Sequence, residues 1–180
     1  MIHIVWILFL FSCQQKEESN TSLVKCNGAE IEIQLESRSD SSFLLKPKVG
    51  SENDPKKNWD IPYPVYHWEI ADIDEDGCDE ILVGVLKSTR YDPKPAKRLF
   101  IFKLFEGYIR PKWMGSRLSQ PLVNFKVIDL DGTKVLSIER EKNGNFLLAL
   151  YSYSSFGLEF ENYLVRDKEM EDVEMLFTFL

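Results

Sequence analysis

Asp72-Ile73-Asp74-Glu75-Asp76-Gly77-Cys78-Asp79-Glu80, running directly into Ile81-Leu82-Val83-Gly84-Val85, is the stretch on which the fold of this chain turns. Six of its first nine positions are acidic. Carboxylates packed this tightly repel one another unless a cation sits among them, and calcium takes about six to eight oxygens from such a loop. Alternate loop residues point inward, Gly77 permits a sharp turn, and Cys78 can offer its backbone carbonyl. The expected calcium ligands are therefore Asp72, Asp74, Asp76, Cys78 and Glu80, the plainer alternative being a solvated acidic turn without metal. An EF-hand begins with the same spacing but needs a bidentate Glu at about loop position twelve and a helix after it. Val83 stands at that position. The run from Ile81 is apolar and rich in β-branched residues, which predicts a buried strand.

A strand, an acidic turn of the form Asp-x-Asp-x-Asp-Gly-x-x-Asp/Glu and an Ile/Leu-Val-Gly strand resemble the FG-GAP or VCBS blade of integrin-like β-propellers. The resemblance covers one blade and implies a calcium-clasped hairpin in a blade-like β architecture. A second, weaker copy follows: Val127-Ile128-Asp129-Leu130-Asp131-Gly132 leads into Val135-Leu136-Ser137-Ile138. Aligning Gly132 with Gly77 puts Val127 and Val135 where Asp72 and Glu80 stood, so the expectation is one calcium and not two. The later halves correspond as well, with Arg98–Phe105 preceding Gly107 and Phe146–Tyr151 preceding Gly157. Blade-like repeats thus fall at about 66–113 and 122–165, each with about four strands. Repeats near fifty residues signal stacked or radial β structure, and a full propeller needs about four or more blades. The fold class expected is mainly β, with antiparallel blade-like sheets. Two arrangements stay open, a truncated β-propeller-like one and a two-sheet sandwich. A third blade could be assembled from Val24 to Val49 plus the C-terminal residues.

Outward from the repeats, Ala29-Glu30-Ile31-Glu32-Ile33-Gln34-Leu35 alternates apolar with polar residues and Phe43-Leu44-Leu45 follows a Ser-rich turn, which predicts a hairpin. Val49 to Pro64 reads as loop because of its glycine and prolines. In the tail, Met170, Val173, Leu176 or Phe177, and Leu180 recur at helical spacing after an acidic first turn. Either a short C-terminal helix or a closing strand from Met175 fits that tail.

The beginning of the chain carries a different signal. Ile2 to Phe11 is almost wholly apolar and has the length of an export h-region, too short to span a bilayer. Leu10-Phe11-Ser12-Cys13 resembles the lipobox of bacterial lipoproteins, and Gln14-Gln15-Lys16-Glu17-Glu18 is similar to the acidic export tag of surface-displayed lipoproteins of Bacteroidetes. The resemblance implies a signal peptide over 1–12 and an N-terminal lipid on Cys13; the polar residues that follow lack periodicity and read as a flexible tether over 13–22, before one β domain over 23–180. It also implies a membrane partner through that lipid, at the outer membrane or cell surface, with a periplasm-facing placement left open. Cys26 and Cys78 would then stand in a compartment where a disulfide survives. A pair and two free buried thiols both remain open.

The 180 residues are 44% hydrophobic and 13% aromatic with a formal charge of −7. One globular unit suits this length. An acidic chain is repelled by phosphate backbones, which argues against nucleic acid as a partner. No Gly-x-Ser-x-Gly elbow, His-Glu-x-x-His or phosphate-binding glycine loop is present. Beyond His3, the one histidine is His67, next to Trp68 in an expected strand, where a structural role outweighs that of a base. The segment Tyr108–Arg117 mixes residue types enriched at binding hot spots. Arg110 and Arg117 could grip a carboxylate or sulfate while Trp113 stacks on a sugar ring; the competing reading has Trp113 closing the core. The function expected from sequence is a lipid-anchored binding or interaction module, not an enzyme, stabilised by one calcium loop, with a glycan or an envelope protein as partner. Its alternatives are an accessory subunit or weak glycan-directed hydrolase, and a structural envelope protein.

Overall fold

The computed structural model describes residues 20–48, 54–115 and 118–180. Alternation of apolar and polar residues sets up Ala29–Leu35, and near-continuous apolar runs set up Ile81–Val85, Leu99–Phe102 and Leu147–Tyr151. The first strands are β1 (Asn20–Cys26), β2 (Ala29–Ser39), β3 (Ser42–Lys48) and β4 (Trp59–Ile61), an antiparallel sheet in that order. Asn27-Gly28 joins β1 to β2 as a two-residue turn with both residues at positive φ, 49° and 81°, the mirror-image turn that suits the twist of paired strands. The expected hairpin of Ala29–Leu35 with Phe43–Leu45 is β2 on β3, with Leu35 opposite Leu45. Within the stretch read as loop, Trp59–Ile61 pairs with Phe43–Leu45 as β4. The prolines flank this strand instead of occupying it, which is why composition hid it.

The two repeats supply the remaining strands. The first gives β5 (Val65–Ala71), β6 (Glu80–Lys87), β7 (Ala96–Phe105) and β8 (Tyr108–Trp113); the second gives β9 (Leu122–Asp129), β10 (Thr133–Arg140), β11 (Phe146–Ser154) and β12 (Gly157–Lys168). All eight belong to one antiparallel sheet of order β12-β11-β10-β9-β7-β6-β5, with β8 on the edge of β7. The halves meet where Lys97 pairs with Leu122. The sheet is open, and that corrects the propeller-like expectation. A propeller sets each four-stranded blade as a separate sheet around an axis, whereas here β9 hydrogen-bonds to the strand of the preceding repeat. The loop-and-strand motif encodes a local hairpin and carries no information about closure.

The arrangement is a two-sheet sandwich with a helix added. Because successive strand residues face opposite ways, Ile81, Val83 and Val85 of β6 and Phe100 and Phe102 of β7 meet Val24, Ile33, Leu35, Leu45 and Ile61 of the small sheet. The intervening Leu82, Leu99 and Ile101 turn the other way, against Phe125, Val135, Leu147, Ala149 and Tyr151 of the second repeat. On the far side of that repeat, Leu136, Ile138, Leu148 and Leu150 pack against Val173. Val173 belongs to α1 (Met170–Phe179), so the tail is a helix and not a closing strand. Glu171 and Asp172 lie in its first turn, where negative charge complements the helix dipole. Among the described residues no helix is long and apolar enough to cross a membrane. Cys13 and its expected lipid, the signal peptide and most of the tether lie outside the described residues.

Candidate metal centre

The acidic loop between β5 and β6 is shaped by its own carboxylates. Asp72 accepts hydrogen bonds from the backbone N–H groups of Asp76 (3.1 Å) and Gly77 (2.9 Å), and Asp76 accepts one from Cys78 N–H (2.9 Å). Gly77 sits at φ 86°, in the region open to a residue without a β-carbon. Side-chain-to-backbone bonds of this kind fix a turn without help from secondary structure.

Oxygens of Asp72, Asp74 and Glu80 all lie within 4.8 Å of one another. Three of the five expected ligands are thus gathered in one place. Asp76 stands outside this cluster and turns its carboxylate to the loop backbone. Glu80 opens β6 and is only 1% exposed. Its Oε2 accepts from Ile73 N–H (3.1 Å) and its Oε1 from the Lys112 ammonium (2.6 Å).

Lys112 is the residue that sequence reading missed. It projects from β8, its side chain 10% exposed, and donates to Asp74 as well as Glu80, while its Nζ lies 4.8 Å from the centre of the Tyr153 ring. Burial pushes the Glu80 carboxyl up to about 7, although the Lys112 hydrogen bond pulls the other way. Burial alone would lower the Lys112 ammonium, yet its bonds to Asp74 and Glu80 outweigh that and raise it. The other oxygen of Asp74, Oδ1, is buried without a hydrogen-bond partner. A buried acceptor left unpaired costs about 1–3 kcal/mol, so the cluster has spare capacity for a cation's positive charge. The loop thus gathers oxygens as a cation site does, with an ammonium in attendance.

Cys78 lies in the same loop, joined by a disulfide to Cys26 at the end of β1. The open question of pairing is thereby answered. Around the bond, Asn27 N–H donates to Gly77 C=O (3.2 Å), Asp79 N–H to Lys25 C=O (2.7 Å), and Lys25 N–H to the Asp79 carboxylate (2.7 Å). The small sheet is thus stapled to the acidic loop. Replacing both cysteines by serine should lower the unfolding free energy by about 2–4 kcal/mol. Urea denaturation of the double variant against the oxidised protein checks this, with equal midpoints contradicting it.

Two carboxylates of the first repeat reach the second, and a third, fully buried, holds the second repeat to the segment before it. Glu69 accepts from Val127 N–H (2.7 Å) and pairs with His67 Nε2 (2.7 Å), whose ring also meets Phe125 at a 5.0 Å centroid distance. His67 is accordingly held as a packing and pairing group. Glu75, at the exposed tip of the acidic loop, accepts from Thr133 N–H (2.9 Å) in the second repeat's turn. Glu139, fully buried on β10, accepts from Ser137 Oγ (2.7 Å), Tyr151 Oη (2.6 Å), Ser119 Oγ (2.6 Å) and Gln120 N–H (2.5 Å). The signal for it was present: Ser137 and Glu139 fall at the inward positions that begin with Val135, breaking an apolar alternation.

Two residues of the expected ligand patch, Arg110 and Trp113, lie within the described residues. Arg110 is exposed, with its guanidinium 5.1 Å from the centre of the Tyr108 ring. Trp113 is half-buried and packs against the core between the repeats, its indole lying against Gly157. Arg117 lies outside the described residues. The chain matches no protein-family model, no curated protein and no solved structure. The likeness to FG-GAP or VCBS blades and to Bacteroidetes-type lipoproteins therefore gains no family, and with the open sheet the assignment to that family of propellers is withdrawn.

Proposed function

We propose that the chain is an extracytoplasmic binding or interaction module whose acidic loop holds one calcium ion, with Lys112 as the cation that stands in when calcium is absent. The observation that carries this reading is the meeting of Asp72, Asp74 and Glu80, together with a buried, unpartnered oxygen on Asp74. Calcium favours such an all-oxygen set, and a single ammonium cannot satisfy three carboxylates. The Cys26–Cys78 disulfide supports the compartment, since such bonds persist where the surroundings are oxidising. It also fixes the loop before any ion arrives, which lowers the ordering cost of binding.

Calorimetric titration with calcium tests the proposal. One site is expected with a Kd of about 10⁻⁴ to 10⁻³ M, the range of extracellular calcium modules. Asp74→Ala should abolish the heat of binding while leaving the loop's backbone bonds to Asp72 in place. Equal heats for the two proteins would overturn the assignment of these ligands.

A further inference from the structure

The loop between β6 and β7, residues 88–95, overhangs a concave cleft of about 500 Å³ whose far wall is formed by Leu118, Gln120, Pro121 and Leu122. It lies where the two halves of the large sheet part, beside the Lys97–Leu122 pair. The volume is within the usual range for a small-molecule site, about 300–1,000 Å³. Leu99, Leu118 and Leu122 contribute apolar lining, and Asp92, Arg98 and Gln120 contribute polar lining.

Charge sets this corner apart. Lys97 and Arg98 line the cleft together with Asp92, and Arg90 and Lys94 flank Tyr91 in the same loop, in a chain whose formal charge is −7. Arg90 and Lys94 are exposed. Arg98 is anchored: its Nε donates to the Lys87 carbonyl (3.2 Å) and its Nη2 to Asp92 (3.0 Å). Lys97 is anchored too, through the Val123 carbonyl (2.7 Å). The loop itself is ordered by Thr89, whose N–H donates to the Asp92 carbonyl (2.7 Å) and whose Oγ1 accepts from Asp92 N–H (3.0 Å). Next to this ordered basic rim, Tyr91 is 92% exposed.

We propose that the cleft binds an anionic saccharide unit, a uronate or a sulfated sugar. A pyranose has a C–H face that stacks on an aromatic ring and an edge of hydroxyls that pairs with an amide and a carboxylate. Tyr91, Gln120 and Asp92 supply those types. Guanidinium groups match the planar or three-oxygen geometry of carboxylate and sulfate, and a local positive field inside an acidic surface concentrates a small anion. A long phosphate backbone would meet the net negative charge of the chain, which disfavours nucleic acid. The inference deepens the binding-module reading by naming a ligand class, and it is independent of the calcium loop.

Calorimetric titration of the unmutated protein with a sulfated heparin disaccharide and with digalacturonate tests it, with maltose and a thymidine oligonucleotide as comparisons, each in chelator and in calcium. Saturable binding of at least one anionic sugar is expected under both conditions, with none for maltose. Tyr91→Ala, and separately Arg90→Ser with Lys94→Ser, should weaken it at least tenfold without moving the melting temperature, because these side chains are exposed. The cleft assignment is overturned if neither anionic sugar binds, if maltose binds as well, if the variants bind unchanged, or if the oligonucleotide binds more tightly. Sugar binding that persists while calcium leaves the melting temperature unchanged would sink the calcium reading alone.

Discussion

Lys112→Met is expected to lower the unfolding free energy by about 3 kcal/mol when measured in chelator. Removing one partner of a buried ion pair typically costs about 3–5 kcal/mol, because the charge left behind has lost both water and counter-ion. Glu80, 1% exposed and already displaced upward by its burial, rises further without Lys112 and takes up a proton near neutral pH, which caps the cost and leaves a buried carboxyl short of its partner. Asp74 is more open, its side chain 24% exposed, and water recovers part of its loss, so the low end of the range applies. The same substitution should make calcium more effective. In the unmutated protein the ion must displace an ammonium bonded to two carboxylates, whereas in the variant it meets no competitor. Calcium should therefore restore more stability to Lys112→Met than it adds to the original chain. Chemical denaturation of both proteins, with and without calcium, measures the difference. Equal calcium increments would mean that the ammonium and the ion do not share a site.

The second large effect belongs to Glu139. Glu139→Ala removes the acceptor of four hydrogen bonds at once, from Ser119, Gln120, Ser137 and Tyr151. Each donor left unsatisfied in the interior costs about 1–3 kcal/mol, and partial access of water to residues 119 and 120 offsets some of that. A loss of about 4 kcal/mol is expected. Burial and the bond to Glu139 together raise the Tyr151 hydroxyl, so that phenol stays protonated and remains a donor. Glu139→Gln keeps the shape but turns an amide N–H₂ toward groups that also donate, and should cost about half as much. Thermal unfolding of the two variants separates these cases. A Gln variant as damaged as the Ala variant would show that the negative charge, and not acceptor geometry, is what the network requires.

Much of this molecule was legible in its sequence because its strands obey a simple rule. Ile81–Val85, Leu99–Phe102 and Leu147–Tyr151 are apolar on both sides, and each sends alternate residues into two different cores. Runs of that kind announce a strand buried on both faces, and the recurrence of the motif located both repeats. Assembly was not legible. Whether β9 pairs with β7 or starts a separate sheet depends on the path of the chain after Trp113, and no periodicity records it. The tail shows the same limit in miniature, since apolar spacing fitted both a helix and a strand and only packing of Val173 onto the second repeat decides it.

The candidate site was legible as composition and not as geometry. Asp72, Asp74 and Glu80 converge because the loop doubles back between two paired strands, which the spacing foretold. Asp76 carries the same charge and does not join them; its carboxylate accepts from Cys78 N–H. Lys112 stands 32 residues beyond Glu80, and only the pairing of β7 with β8 brings it to the loop. Cross-strand neighbours that meet through an intervening strand leave no trace in local sequence. The disulfide was half legible: both cysteines were visible, and the bridge between Cys26 and Cys78 that aligns β1 with the loop was not.

A melting series of the unmutated protein, from excess chelator to about ten times the expected calcium Kd, tests the central claim most directly. Mass action predicts about 1.4 kcal/mol of added stability at that concentration, which in a domain of this size raises the melting temperature by about 3–6 °C. The rise should grow with calcium concentration and be absent with sodium at equal ionic strength. Superimposable melts in chelator and in calcium would mean that Lys112 is the permanent counter-ion of Asp74 and Glu80, and that the loop is an ion-paired turn with no metal to bind.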